Sequence, residues 1–213
     1  EFTDAWTGFM LRKDWGLKQD QLPTTHPIAA TIRDLADIEV NFDGITYAKG
    51  ASVLRQLVSY VGRDAFFTGL HAYLTAHSYA NATLADLLLE LEKASGRDLD
   101  AWSKVWLQEA GVTLLRPQIR LHEDGTMAEL AVIQEAFSQG ASLRPHRMGV
   151  AGYSLDGNTL VQDFREELDV DGERTLVPSA VGRKRSDMIL LNDGDLAYAK
   201  VRMDEDSLAF ATK

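Results

Sequence analysis

Residues 42–51, which read FDGITYAKGA, combine a turn, a helix start and a phenol that could take part in catalysis. The Asp43-Gly44 pair predicts a turn, and the Asp43 carboxylate is suited to cap the helix that follows. Tyr47 then lies in the first turn of that helix, where it is less enclosed and its side chain can reach into a cleft. The residues alone favour a packing role for Tyr47 over a chemical one.

Gly50 lies inside the same predicted helix. Glycine in a helix interior is less favourable than alanine by about 1 kcal/mol. A helix that keeps a glycine at such a position usually needs the close approach of another element. We therefore expect a second segment of the chain to pack tightly against Gly50.

The rest of the sequence offers no recognisable metal or nucleophile motif. The zinc-binding pattern His-Glu-x-x-His is absent, and His71 and His77 are six residues apart, which does not place them on one helix face. The chain has no cysteine, and it lacks both the Gly-x-Ser-x-Gly elbow and the phosphate-binding Gly-x-x-x-x-Gly-Lys-Ser/Thr loop. We therefore expect no zinc ligands within this chain.

Charge and hydropathy exclude two classes of partner. The formal net charge is -10, whereas a nucleic-acid binder needs a basic face. The two short basic clusters, 144–147 and 183–185, are predicted to lie in solvated loops. No apolar run approaches the roughly 18 residues of a membrane span, and the N-terminal residues do not resemble a signal peptide. We predict no membrane segment and a cytoplasmic location in a bacterium.

Hydrophobic periodicity changes near Gly111. Before this residue, apolar side chains recur at helical spacing and predict helices over 45–61, 64–77, 84–94 and about 100–110. Gly62 and Gly96 are expected to end two of these helices, and Thr83 with Asp86 resembles a capping box. Short links between the helices predict antiparallel neighbours.

After Gly111, apolar residues alternate and flank turns rich in Asp, Asn and Gly. This pattern predicts four hairpins, over 119–132, 150–164, 168–177 and 188–201. Several short strands at such spacing favour a β-sandwich. The sequence thus predicts an α + β chain with an all-α first part and a β-sandwich after it.

Residues 42–51 closely resemble the Phe-Asp-x-Ile-Thr-Tyr-x-Lys-Gly-Ala motif of the aminopeptidase N family of zinc metallopeptidases. Residues 26–28 (His-Pro-Ile) resemble a family segment upstream of this motif. Residues 102–112 are similar to the Trp-x-x-Gln-x-Gly-x-Pro region that ends the family's catalytic domain. Glu109 and Thr113 stand where that region has Gln and Pro, which weakens only this supporting match. The resemblance spans essentially the whole chain.

The resemblance implies a catalytic role for Tyr47. In the family, the matching tyrosine hydrogen-bonds the oxyanion of the tetrahedral intermediate. Lys49 and Gly50 belong to the motif, and we assign them to packing and backbone geometry. Zn2+ would be the cofactor of the parent enzyme. Its three ligands and the Gly-Ala-Met-Glu-Asn motif are absent here, and the resemblance places them upstream of Glu1.

The resemblance also implies a division of the chain into domains. Residues 1–113 look like the helical lobe that forms the C-terminal part of a thermolysin-like catalytic domain. Residues 114–200 look like the β-sandwich domain that follows it. Residues 201–213 resemble the start of a C-terminal helical domain, which would otherwise be missing from this chain.

Two interpretations of function follow. In the first, the chain is a piece of a zinc aminopeptidase that removes N-terminal residues from peptides, and it is inactive alone. Its partners would then be peptide substrates and the missing N-terminal and C-terminal domains of the same chain. In the second, the chain is a non-enzymatic, protein-binding module with helical and β-sandwich parts. A His-Glu-x-x-His motif upstream of Glu1, followed by a distal Glu, would decide for the first.

Overall fold

The computed structural model describes residues 4–30, 32–137 and 141–213, and the chain is an α + β protein. Residues 1–3, which the sequence prediction included in the helical part, lie outside these ranges. The helices are α1 (Ala5–Gln19), α2 (Leu35–Val40), a π-helical turn (Ile45–Lys49), α3 (Gly50–Val61), α4 (Arg63–Ala76), α5 (Leu84–Ser95), α6 (Asp100–Leu107) and, after the strands, α7 (Glu205–Ala211). The strands are β1 (Thr113–Leu121), β2 (Met127–Ala136), β3 (His146–Asp156), β4 (Thr159–Val170), β5 (Arg174–Leu176), β6 (Met188–Asp193) and β7 (Lys200–Val201).

The four predicted helices are confirmed, as are their end signals. Thr83 and Asp86 form a reciprocal capping box at the start of α5. Gly96 ends α5 in the left-handed conformation, with φ of 69°. Gly62, at the end of α3, also has a positive φ, of 89°. Glycine adopts such angles without the penalty that a Cβ atom would impose, which explains why these helices stop there.

The strands form two sheets, one with the order β5-β2-β1-β7 and the other with the order β4-β3-β6. The hairpins β1–β2 and β3–β4 are antiparallel neighbours, as predicted. The other two predicted hairpins are wrong. β5 pairs with β2 instead of β4, and β7 runs parallel to β1 instead of pairing with β6. Residues 171–173 and 194–199 therefore carry the chain from one sheet to the other.

Two groups of buried apolar side chains hold the chain together. One group is shared by the two sheets and includes Leu130 and Val132 on β2 with Met148 and Val150 on β3. The second lies among the helices: Val53, Leu57, Leu91, Leu99, Trp102 and Trp106. Tyr198, which precedes β7, packs into the helical group. The end of the β-rich part therefore returns to the helices.

Arg144 corrects one of the predictions from sequence. Its cluster was expected to be solvated, yet the Arg144 side chain is fully buried. The guanidinium donates hydrogen bonds to the carbonyl oxygens of Val105, Glu109 and Ala110, at 2.8–3.2 Å. A planar guanidinium with several donors can satisfy several carbonyls at once. Arg144 thus joins the end of the helical part to the β-rich part.

Candidate functional site

Asp43 and the π-helical turn position Tyr47. The Asp43 Oδ1 atom accepts hydrogen bonds from the backbone amides of Ile45 and Thr46, at 2.9 and 3.0 Å. This confirms the capping role predicted for Asp43. The Gly50 amide reaches back to the Ile45 carbonyl, which widens the first turn into a π-helix before regular α-helix begins. Such single π-turns are frequent at functional sites, and no residue pattern predicted this one.

Tyr47 lies at the surface of this turn, with 49% of its area exposed. The Phe42 ring meets the Tyr47 ring edge-on, with centroids 5.1 Å apart. Tyr47 also borders an apolar cavity of about 340 Å³, lined in part by Ala51, Leu54 and Leu84. The ring is thus held by apolar neighbours, while the residue as a whole remains accessible. This arrangement leaves space for a bound molecule beside Tyr47.

His26 holds the capping carboxylate in place. Its Nε2 atom lies 3.0 Å from Asp43 Oδ2, and its Nδ1 atom lies 2.8 Å from the Pro27 carbonyl oxygen. Both partners are acceptors, so the two hydrogen bonds form together only when both ring nitrogens carry protons. The upstream His-Pro segment is thereby connected to the turn that carries Tyr47.

Lys49 lies on the inner side of the same turn and is fully buried. Its ammonium is 2.8 Å from Asp20 Oδ2 and donates a hydrogen bond of 3.0 Å to the Gly111 carbonyl oxygen. Burial lowers the pKa of Lys49, and the Asp20 carboxylate offsets part of this lowering. Burial also raises the pKa of the neighbouring Tyr198, with a further contribution from Asp20. Lys49 is therefore buried, as a packing role requires, but its contacts are an ion pair and a hydrogen bond rather than apolar packing.

The close approach expected at Gly50 occurs elsewhere. A Cβ atom on Gly50 would have its nearest neighbours at 3.9 Å, which is an ordinary contact. A Cβ atom on Gly44 would lie 2.6 Å from Gln19 Oε1, and one on Gly16 would lie 3.0 Å from the Gly44 carbonyl oxygen. The expectation for Gly50 was wrong because α1 packs on the turn before the helix, not on the helix interior.

The described ranges contain no group of three His, Asp or Glu side chains placed to hold a metal ion. His122 is in the exposed turn between β1 and β2, and His146 is buried at the start of β3. The residues present in this part of the chain therefore do not fit a zinc site. None of the helices in the same ranges is long and apolar enough to cross a membrane.

Three residues of this region were missed by reasoning from the sequence. Asp20, Arg144 and Tyr198 are all buried near Lys49, although 29 to 149 positions separate them from it along the chain. Hydrophobic periodicity reports only neighbours a few residues apart, so it cannot bring such positions together. Lys49 shares its helix face with the polar residues Ser52 and Gln56, so no local signal marked it as part of a buried cluster.

Comparison with known proteins gives consistent matches. Residues 3–106 match the family model described as the Peptidase family M1 domain. Aminopeptidase N from Streptomyces lividans is 55% identical over 217 residues, which cover 98% of this chain and 25% of that protein. Aminopeptidase M1 from Arabidopsis thaliana is 37% identical over 115 residues, covering 54% of this chain and 13% of the relative. The Tricorn protease-interacting factor F2 from Thermoplasma volcanium is 36% identical over 135 residues, covering 63% and 16%. This chain thus spans at most about a quarter of the length of these relatives.

Proposed function

Since this chain belongs to the aminopeptidase N family of metallopeptidases, we propose that it is part of a zinc aminopeptidase to which it contributes Tyr47 as a catalytic residue. The observation that carries the proposal is the placement of Tyr47 on a capped π-turn, half exposed and beside a cavity. Peptides with a free N-terminus are the proposed substrates. The family relationship favours this function over a non-enzymatic binding module.

In the proposed reaction, water attacks the carbonyl carbon of the first peptide bond and negative charge develops on the carbonyl oxygen. The Tyr47 hydroxyl donates a hydrogen bond to that oxygen. The bond strengthens as the charge grows, so it stabilises the transition state more than the bound substrate. The described residues do not form a zinc site, so we assign no metal-dependent step to them.

We also propose the domain division that the sequence predicted: a helical lobe to residue 113, a β-sandwich over 114–200, and the start of a further helical domain over 201–213. The two apolar groups, one among the helices and one between the sheets, support this division except at Tyr198, which lies in the second range and packs with the helices. The remaining domains of the same protein are the proposed partners of this piece. A cytoplasmic location remains part of the proposal.

Substitution of Tyr47 by Phe in the full-length protein tests the catalytic role. The change removes one hydroxyl and keeps the ring that packs on Phe42. Loss of one oxyanion donor is expected to lower kcat by about 10²–10³, with KM little changed. The melting temperature should stay close to wild type, because a residue as exposed as Tyr47 leaves no buried partner unsatisfied.

Tyr79→Phe is the matched control, because Tyr79 is fully exposed on the loop between α4 and α5. This variant should retain the kcat of the wild type. A kcat of Tyr47→Phe within about threefold of wild type would end the catalytic assignment, since this is far below the loss expected for an oxyanion donor.

A second prediction concerns the chain by itself. It should bind no zinc at micromolar affinity and cleave no aminoacyl substrate, since its described residues bring no three metal ligands together. Isothermal titration with zinc and an aminoacyl-anilide assay measure the two properties. A stoichiometric zinc site accompanied by turnover would contradict the proposal that this piece is inactive alone.

A further inference from the structure

A buried polar cluster lies directly behind the turn that carries Tyr47. It consists of Lys49, Asp20 and Gly111, with Thr25 at its edge. The Lys49 ammonium contacts Asp20 Oδ2 at 2.8 Å and the Gly111 carbonyl oxygen at 3.0 Å. Asp20 Oδ1 accepts hydrogen bonds from the Gly111 amide at 2.9 Å and from the Thr25 hydroxyl at 2.6 Å. Both polar backbone groups of Gly111 are therefore bound within the cluster.

The cluster joins three segments that are distant in sequence. Asp20 immediately follows α1, Lys49 ends the π-turn, and Gly111 lies in the link between α6 and β1. The side chains of Lys49 and Asp20 have no measurable exposure to solvent. An ion pair in such a place has a defined geometry, because neither charge can exchange its partner for water without exposing the cluster.

Tyr47 and Lys49 are two residues apart and point to opposite sides of the turn. Tyr47 is half exposed, whereas Lys49 is completely buried. The backbone between them is short and hydrogen-bonded, so we expect a displacement of Lys49 to displace Tyr47 as well. α1 restrains the same turn as well, because Gly16 approaches the Gly44 carbonyl and the Ala48 side chain closely.

We propose that Lys49, through its ion pair with Asp20, is a positioning residue that orients the Tyr47 hydroxyl. This inference rests on the proposed function of Tyr47. An oxyanion donor must lie within hydrogen-bond distance of the position that the charged oxygen will occupy, and a misplacement of about 1 Å can cost about 10²-fold in rate.

The ion pair has no evident advantage for stability alone. Burial is the largest influence on the pKa of Lys49 and lowers it, the Asp20 carboxylate raises it, and the nearby Arg144 charge lowers it further. Apolar side chains of similar volume often replace a buried ion pair without loss of stability. What they would not supply is the hydrogen bond from Lys49 to the Gly111 carbonyl oxygen, with the Asp20 carboxylate beside it, which ties the turn to the link between α6 and β1.

The test uses the full-length protein and the double substitution Lys49→Met with Asp20→Asn, which removes both charges together. The Asn side chain can still accept the Gly111 amide hydrogen bond. We expect kcat to fall by about tenfold or more while KM changes by less than about threefold, as for a misplaced transition-state contact. When Tyr47→Phe is already present, the same double substitution should lower kcat by no more than about twofold, because the group that it misplaces is gone.

Lys93→Met is the control, because Lys93 forms an exposed ion pair with Glu90 in the same helical part. It should leave kcat unchanged in both backgrounds. Should the double variant fail to fold, Lys49→Arg provides the same comparison, because it keeps a positive charge opposite Asp20 and alters only the geometry of the contacts to Asp20 and Gly111.

The outcomes separate the two proposals. An equal loss of kcat in the wild-type and Tyr47→Phe backgrounds would show that the ion pair does not act through Tyr47, and would overturn this inference while leaving the catalytic role of Tyr47 intact. A normal kcat for Tyr47→Phe alone would overturn the proposed function, and the positioning role with it.

Discussion

His146 is a buried titratable side chain at the contact between helices and strands. Its Nε2 atom lies 3.1 Å from both Gln134 Oε1 and Thr113 Oγ1, and the Trp106 ring meets the imidazole edge-on at 5.2 Å. Burial lowers the pKa of His146 to about 3, and the nearby Arg144 charge contributes in the same direction. The folded protein therefore holds His146 in its neutral form.

This arrangement predicts a pH-dependent stability. The folded-state pKa lies below the ordinary value of 6.5, so the contribution of His146 is fully present above about pH 6.5 and decreases as the pH falls towards 3. In that window the unfolded chain binds a proton that the folded chain does not. The expected loss approaches about 1.4 kcal/mol per pH unit. Urea unfolding of this chain at pH 7 and pH 5 measures it.

His146→Gln should reduce the difference in the free energy of unfolding between pH 7 and pH 5, because the Gln amide does not titrate. His122→Gln is the control, since His122 is exposed in the turn between β1 and β2. It should leave the pH dependence as in the wild type. Identical pH dependence in the wild type and His146→Gln would contradict the prediction.

At the scale of elements, two glycines of α1 differ in how closely they approach the π-turn. Gly8 and Gly16 are both in α1, two turns apart. A Cβ atom on Gly8 would have no neighbour within 4 Å, whereas one on Gly16 would meet the Gly44 carbonyl oxygen at 3.0 Å and the Ala48 Cβ atom at 3.2 Å. The same chemical change should therefore have opposite effects at the two positions.

Gly8→Ala should stabilise the chain by about 0.4–1 kcal/mol, because alanine restricts the unfolded chain and favours helix. Gly16→Ala should destabilise it by about 1–3 kcal/mol, because backbone atoms of the π-turn would have to move. Each glycine serves as the control for the other in urea or thermal unfolding. A stabilised Gly16→Ala variant would mean that α1 does not pack on the turn as described.

The elements show which parts of the fold the sequence could predict. Local signals were sufficient for the helices α3 to α6 and for the hairpins β1–β2 and β3–β4. The turns at 171–172 and 192–195 were also real, with Gly172 and Gly194 at positive φ. Their strands were paired wrongly because a turn sequence specifies a change of direction, whereas the partner strand is chosen by burial in the whole molecule.

For the candidate site, too, local features could be predicted from the sequence, whereas contacts between distant segments could not. The motif is the basis of the proposal for Tyr47, and local geometry was enough to assign Asp43 as a cap. The role of Lys49 depends on Asp20 and Gly111, which no local pattern connects to it. A site assembled from distant segments becomes visible only when the segments are placed in space.

At the scale of the whole molecule, the helical and β-rich parts are joined by polar contacts. Arg144 donates to three carbonyl groups at the end of the helical part, and the Trp106 indole donates to the Pro145 carbonyl oxygen at 2.9 Å. Gln56 on α3 donates to the Arg147 carbonyl oxygen at 2.9 Å. Directional contacts of this kind specify one relative placement of the helical and β-rich parts. Apolar packing alone specifies this placement less strictly.

Before residue 60, the helical part also exposes many large apolar side chains. The most exposed are Leu11, Leu35, Val40 and Phe42, at 66–79% of their area. Leu35 and Val40 begin and end α2, and Phe42 follows in the turn before Tyr47. Contiguous exposed apolar patches above a few hundred Å² tend to drive association. The chain by itself should therefore self-associate through residues 1–60.

Light scattering of the chain over a concentration series measures this association, with an apparent mass that rises with concentration. Replacement of Leu35 and Val40 by Ser should lower the apparent mass, because it removes apolar area from the patch and adds no charge. The control replaces Leu155 and Leu160 by Ser, an exposed cross-strand pair on the β3–β4 hairpin. This change also removes two exposed apolar side chains, but from the other part of the molecule, and it should leave the association unchanged. A clean monomer at high concentration, or equal effects of the two double variants, would show that residues 1–60 do not drive association.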